Sequence, residues 1–99
     1  MQIDVTEIGE SLYLKLSGSL ETSTAPMLQE VVDEKMSKIS ELQMDMENIS
    51  YVSSAGLRVL LAASKKMESK HGKMIVSNVN DNVMEVFEIT GFDGILDIR

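Results

Sequence analysis

Two adjacent serines, Ser53 and Ser54, have the residue type and the position that most clearly permit chemistry. They directly precede Ala55-Gly56-Leu57, where a helical apolar pattern begins. Serine is a favoured N-cap residue, and such a cap typically stabilises a helix by about 1 kcal/mol. A helix N-terminus also accepts an added phosphate, because it presents free N–H groups and positive dipole charge. The residues alone leave capping and modification open. Arg58, one turn further on, is placed to meet a phosphate, an acidic partner group or solvent.

Other kinds of chemistry have little support in the sequence. His71 is the single histidine and there is no cysteine, which excludes a cysteine nucleophile and a His/Cys metal site within one chain. Asp45 and Glu47 could offer Mg²⁺ a carboxylate-only site, although a solvated strand end is the simpler interpretation. The G-x-S-x-G elbow and the G-x-x-x-x-G-K-S/T phosphate loop are both absent. We therefore expect no catalytic centre, metal or cofactor, and a chain that is not an enzyme.

Charge and hydropathy narrow the choice of partner. The 99 residues include 16 acidic and 9 basic side chains, a net charge of −7. An acidic chain is a poor ligand for nucleic acid or for an anionic lipid surface. The longest apolar stretch, residues 59–63, is far shorter than the roughly 20 residues of a membrane-spanning helix. No secretory signal is visible at the N-terminus. We expect a single cytoplasmic domain over residues 1–99, without membrane insertion.

The hydrophobic pattern predicts the elements that position the two serines. Alternation predicts a hairpin turning at Gly9-Glu10, and later segments follow helical and extended patterns in turn. Thr22 to Thr24 and Pro26 indicate the start of the first helix, Asp81 caps the third, and Gly91 ends it. The order is β-β-α-β-α-β-α-β, an α/β fold with a mostly parallel sheet and an N-terminal hairpin. The predicted segments are strands at 3–8, 12–17, 42–46, 73–77 and 95–98, and helices from after 24 to Ile39, from 57 to about 70, and from 81 to 91.

Parallel strands would bring three connecting loops, at 18–24, 47–54 and 78–81, to one edge of the sheet. Partners and ligands of open α/β sheets usually meet this edge. Gly56 is costly inside a helix, and either the close approach of a partner or tight packing beneath the loop would explain it. The residues expected at this edge are Glu21, Thr22, Ser23, Thr24, Ser53, Ser54, Asn78, Asn80 and Asp81.

The segment 45–61, D-M-E-N-I-S-Y-V-S-S-A-G-L-R-V-L-L, resembles the signature of STAS domains, and of bacterial anti-sigma factor antagonists in particular. Upstream, residues 16–21 together with Thr24-Ala25-Pro26 and Leu28 are similar to a second stretch of that family. Phe87, Thr90-Gly91-Phe92 and Ile95 resemble its C-terminal helix and strand. Ser53 stands where the family usually has aspartate, which makes it a competing acceptor beside Ser54.

The resemblance implies a STAS fold and a role in partner switching. An unphosphorylated antagonist of this family binds an anti-sigma factor, a serine kinase of the histidine-kinase-like ATPase fold, and so frees a sigma factor. The kinase then phosphorylates the serine two residues before the motif glycine, here Ser54, and a PP2C-type phosphatase resets the switch. The partner-binding residues expected on this basis are Glu21, Thr22, Ser23, Thr24, Ser53, Ser54, Gly56, Leu57 and Arg58.

Two other functions fit the same sequence. One is a constitutive, unphosphorylated STAS adaptor that serves as a subunit of a transporter or signalling scaffold. The other is a small module that binds a nucleotide or a lipid. Whether a kinase and ATP phosphorylate the chain distinguishes the constitutive adaptor from partner switching. Titration with nucleotides and phospholipids tests the second.

Overall fold

A five-stranded mixed sheet organises the fold, with its strands in the order β1-β2-β3-β4-β5. The computed structural model describes every residue from Met1 to Arg99. β1 and β2 form the predicted antiparallel hairpin, and β2 to β5 run parallel to one another. Two 3₁₀ turns, Met36–Lys38 and Phe92–Gly94, complete the chain. The elements are β1 Gln2–Ile8, β2 Ser11–Leu20, α1 Ala25–Lys35, β3 Glu41–Val52, α2 Ser54–Ser69, β4 Lys73–Ser77, α3 Asp81–Thr90 and β5 Asp97–Ile98.

The three helices cover one face of the sheet. Alternate residues of β2 and β3 are fully buried beneath them, while the intervening Tyr13, Lys15 and Gln43 are only partly covered or exposed. Burying apolar side chains of this kind is the main force that holds the helices to the sheet. No helix has the length and apolar character that crossing a membrane requires. The buried side chains include Leu12, Leu14, Leu16, Leu42, Met44 and Met46 from the strands and Leu28, Val32, Leu60, Met67, Val83 and Phe87 from the helices.

β2 and β3 are both longer than predicted. Gly18 does not end β2: it adopts a positive φ of 104°, which glycine tolerates, and the strand continues to Leu20. The pairing with β3 shifts register twice, between Lys15 and Ser17 and between Gly18 and Ser19. The buried residues of β3 beyond Met46 are Ile49 and Val52, three residues apart rather than two. Because this spacing departs from the two-residue alternation of a half-buried strand, the sequence pattern does not predict the extension of β3. The predicted loop 47–54 is therefore wrong over residues 47–52, which belong to β3.

Several predicted element boundaries are also wrong. Asn80, not Asp81, caps α3, since its side chain accepts a hydrogen bond from the Val83 N–H at 2.9 Å. α1 ends at Lys35, and Ile39 is extended rather than helical. β5 covers only Asp97–Ile98. The predicted helix end at Gly91 is confirmed by its left-handed φ of 80°.

Candidate functional site

The three linkers that follow β2, β3 and β4 lie at the same edge of the sheet, as the parallel order requires. The Ser53 N–H donates to the Leu20 carbonyl at 2.9 Å, so the ends of β2 and β3 are directly joined. The Asn80 side-chain amide donates to the Ile49 carbonyl at 2.6 Å, which ties the third linker to β3. The sequence thus predicted the shared edge correctly, although the linkers are shorter than expected.

Ser53 is the N-cap of α2. Its hydroxyl oxygen accepts a hydrogen bond from the Gly56 N–H at 3.5 Å, and its carbonyl accepts one from the Leu57 N–H at 2.9 Å. Its backbone is extended and its side chain is half-buried. The capping interpretation that the sequence left open therefore applies to Ser53.

Ser54 occupies a different position from its neighbour. It is the first residue of α2, and it is exposed to solvent. The first N–H groups of a helix have no intrahelical acceptor, and they give this end of α2 a positive partial charge. No acidic residue stands in the first turn of α2 to neutralise that charge. The hydroxyl of Ser54 is consequently accessible at a terminus that favours a negative group.

Gly56 and Leu57, which were expected to contact a partner, are both buried. A Cβ on Gly56 would lie 2.6 Å from the Leu20 carbonyl oxygen and 2.7 Å from Leu20 Cγ. Of the two explanations for a glycine at this position, the structure supports tight packing beneath the linker. Leu57 is only 7% exposed and belongs to the core. These two residues fix the position of the Ser53–Ser54 backbone, and their side chains are not at the surface.

The linker between β2 and α1 is held by its own side chains. The Thr24 hydroxyl donates to the Ser19 carbonyl at 2.6 Å and accepts from the Glu21 N–H at 2.9 Å. The Ser23 hydroxyl donates to a carboxylate oxygen of Glu21 at 3.1 Å. Thr22 and Ser23 are exposed, so this linker presents a polar surface whose backbone is well fixed.

A shallow groove of about 360 Å³ lies between α1 and α2, next to the first turn of α2. Arg58 lines this groove, is exposed, and makes no ion pair in the structure. Sequence reasoning missed the α1 side of the groove and also Ala62, although Ala55, Val59 and Ala62 follow helical spacing. The lining residues are Thr22, Ala25, Pro26, Gln29, Ala55, Arg58, Val59 and Ala62.

The residues considered for other chemistry lie elsewhere or have structural partners. His71 follows the C-terminal end of α2, while Ser54 begins this 16-residue helix, so the whole length of α2, about 24 Å, lies between them. Asp45 accepts hydrogen bonds from the Glu47 N–H at 3.0 Å and from the Asn78 amide at 3.2 Å. The structure contains no group of three His, Cys, Asp or Glu side chains that could hold a metal ion.

Comparison with known proteins finds relatives that are named anti-sigma factor antagonists. The chain is 24% identical over 98 residues to the anti-sigma-B factor antagonist of Bacillus subtilis, covering 99% of this chain and 90% of the relative. It is 28% identical over 87 residues to that of Listeria monocytogenes, covering 85% and 75%.

Solved structures share the fold. The anti-sigma factor antagonist SpoIIAA superposes with TM-scores of 0.86 in its unphosphorylated form and 0.79 in the phosphorylated form from Bacillus. The sequence identities are 17% and 16%, and each match covers 99% of this chain and 88% or 91% of the other. The model of the STAS domain matches residues 2–99. The resemblance noted in the sequence is therefore confirmed, and the chain belongs to the STAS domain family.

Proposed function

We propose that this chain is an anti-sigma factor antagonist that works by partner switching. In its unphosphorylated form it binds an anti-sigma factor serine kinase and thereby frees a sigma factor. Binding uses what we call the docking edge, formed by residues 21–24, Ser54 and Arg58. The names of the related antagonists support the regulatory role, and the existence of SpoIIAA in two phosphorylation states supports the switch. The chain itself contributes no catalysis.

The exposed hydroxyl of Ser54 on the first turn of α2 is the observation that carries the proposal. The kinase transfers the terminal phosphoryl group of ATP to the Ser54 oxygen; the new O–P bond replaces the hydroxyl proton, and ADP leaves. The free N–H groups of the helix terminus accommodate the phosphate without unfolding α2. Ser53 is the less suitable acceptor because its hydroxyl is half-buried and caps the helix.

Release follows from the charge that phosphorylation adds at the docking edge. A phosphoserine contributes roughly −1.5 to −2 charges at pH 7. A surface that fits the kinase when Ser54 is neutral then presents a bulky anion at the centre of the contact. Arg58, four residues after Ser54, is the basic side chain on the same helix face as the phosphate. Hydrolysis by a PP2C-type phosphatase restores the binding form.

Intact-mass measurement after incubation with the cognate kinase and ATP tests the proposal. We expect the mass of one phosphoryl group to be added to the wild type and to Ser53→Ala, and not to Ser54→Ala. The unmodified protein should bind the kinase in isothermal titration, and the phosphorylated protein should not.

A mass gain that persists in Ser54→Ala would show that Ser54 is not the phosphorylated residue. Kinase-independent binding of a nucleotide or phospholipid would favour the small-ligand alternative, and a partner that tolerates Ser54→Asp would favour a constitutive adaptor.

A further inference from the structure

β1 leaves one long edge of the sheet unpaired. It bonds to β2 on one side and to no strand on the other. Proteins usually protect such edges with charged side chains, above all lysine, or with proline, a bulge or a very short strand. β1 has seven residues, Q-I-D-V-T-E-I, with no proline, no basic residue and no register shift against β2. Its charged side chains are the acidic Asp4 and Glu7, and Glu7 is paired with Lys35. The opposite edge of the sheet is blunted, since β5 has only two residues. The backbone of β1 is therefore free to accept another strand.

An apolar groove runs beside this free edge, between β1 and α1. Ile3 and Val5 lie opposite the buried Leu16 and Leu14 in the hairpin register, so they face the helix side of the sheet. No helix covers them completely, because Val5 is 45% exposed. Met27, across the groove on α1, is 44% exposed. The groove has a volume of about 340 Å³ and is lined by Ile3, Met27, Glu30, Val31 and Glu34.

Carboxylates border the groove along α1. Glu30 and Glu34 stand one turn apart, both exposed and without an ion-pair partner. At one end, Lys35 pairs with Glu7 of β1 at 3.1 Å and joins the two walls. The groove thus has an apolar floor and acidic residues on the α1 side. Lys35, the basic residue that follows Glu34 in the sequence, is already paired with Glu7.

We infer that β1 and α1 form a second docking site, the β1–α1 groove, which takes an extended segment of another protein as an added strand. The main chain of that segment bonds to the open edge of β1, and its alternate apolar side chains enter the groove beside Val5 and Met27. An arginine or lysine at one end of the segment meets Glu30 and Glu34, which stand only one helical turn apart.

The charge of the chain argues against a second copy as the occupant. Each copy carries a net charge of −7, and self-pairing through β1 would bring two acidic grooves together. The site is also separate from the docking edge. Pro26 and Gln29 line the α2 side of α1, whereas Met27 and Val31 line the β1 side. A basic partner strand can therefore bind while the groove between α1 and α2 and the docking edge stay free.

The test uses an end-capped heptapeptide, Arg-Val-Thr-Val-Thr-Val-Arg, titrated into the ¹⁵N-labelled protein. We expect amide shift changes confined to β1 and α1, with the residues around Ser54 unchanged. The matched peptide with glutamate in place of both arginines should bind at least about tenfold more weakly. Equal binding of the two peptides, shifts that map to another surface, or no shifts at millimolar peptide would each overturn the proposal.

Matched variants separate the apolar and the charged contributions. Met27→Gln and the pair Glu30→Gln/Glu34→Gln should each weaken peptide binding by about threefold to tenfold. The controls make the same chemical changes on α3, at exposed positions away from the groove: Ile89→Gln and the pair Glu85→Gln/Glu88→Gln. Controls that weaken binding as much as the groove variants would contradict the proposed site. A dimer in analytical ultracentrifugation that Met27→Gln abolishes would assign the groove to a second copy instead.

Discussion

Gly56 lies directly against the backbone of Leu20, so that the first turn of α2 is seated on the end of β2. A Cβ at position 56 would come within 2.6 Å of the Leu20 carbonyl oxygen. The same carbonyl accepts the Ser53 N–H at 2.9 Å, and it therefore cannot move without disturbing the N-cap of α2. This contact couples the position of the Ser53–Ser54 backbone to the sheet.

Gly56→Ala should destabilise the fold by about 1–3 kcal/mol, because the added methyl group overpacks the contact with Leu20. Alanine has the higher helix propensity, so a loss of stability isolates the steric effect. Urea unfolding followed by circular dichroism measures the change. Gly94→Ala is the matched control, since a Cβ there meets nothing within 4 Å, and its effect should stay within about 0.5 kcal/mol. Equal stability of Gly56→Ala and the wild type would contradict the packing role.

The two serines should differ in their contribution to stability. Ser53→Ala removes the acceptor of the Gly56 N–H and should cost about 0.5–1 kcal/mol, the lower part of the range for N-caps, since the bond is long at 3.5 Å. Ser54→Ala alters an exposed first-turn residue and should change the free energy of unfolding by less than about 0.5 kcal/mol. Thermal and urea unfolding of both variants provide the measurement. The reverse order would show that Ser54 is the cap.

Much of the fold could be predicted because its signals are local. Strict alternation in β2 and the Gly9-Glu10 turn specified the hairpin, and alternating strands and helices specified the parallel order. The continuation of β3 was missed because its buried residues Met46, Ile49 and Val52 lack a period of two. That irregularity arises from pairing with β2 through register shifts, which depend on a partner strand distant in sequence.

The candidate site was predictable in its position more than in its details. Two adjacent serines indicated a helix start, but only the backbone conformation shows that Ser53 caps and Ser54 is exposed. Asn80 and Asp81 are both good N-cap residues, so sequence alone could not choose between them. The burial of Leu57 follows from how α2 packs on the sheet, which a motif match does not reveal.

Asn80 should contribute to stability through both ends of its amide. Its oxygen caps α3 through the Val83 N–H, and its nitrogen donates to the Ile49 carbonyl at 2.6 Å. Asn80→Ala removes both bonds and should cost about 1–3 kcal/mol. Asn80→Asp retains the capping oxygen but loses the donor, so its cost should fall below that of alanine.

Denaturant unfolding of the Asn80 variants, with Asn82→Ala as the control, measures this difference. Asn82 is exposed inside α3, where alanine is the better helix former, so its replacement should have little effect. If Asn80→Asp is as stable as the wild type, the bond to the Ile49 carbonyl contributes nothing. If Asn80→Ala lowers the free energy of unfolding no more than Asn82→Ala does, neither contact of Asn80 contributes to stability.

Ser54→Asp should reproduce release from the partner without unfolding the domain. A negative charge on the first turn of α2 is favourable to the helix dipole, so stability should stay within about 0.5 kcal/mol of wild type. Binding to the anti-sigma factor kinase should weaken by about tenfold or more, because the charge enters the docking edge. Thermal unfolding and isothermal titration measure the two effects separately.

The control is Ser69→Asp, the same change at the exposed C-terminal end of the same helix, where it should cost about 0.3–1 kcal/mol and leave binding unchanged. If Ser54→Asp instead loses stability while Ser69→Asp does not, Ser54 is a structural residue, and the charge-based account of release fails.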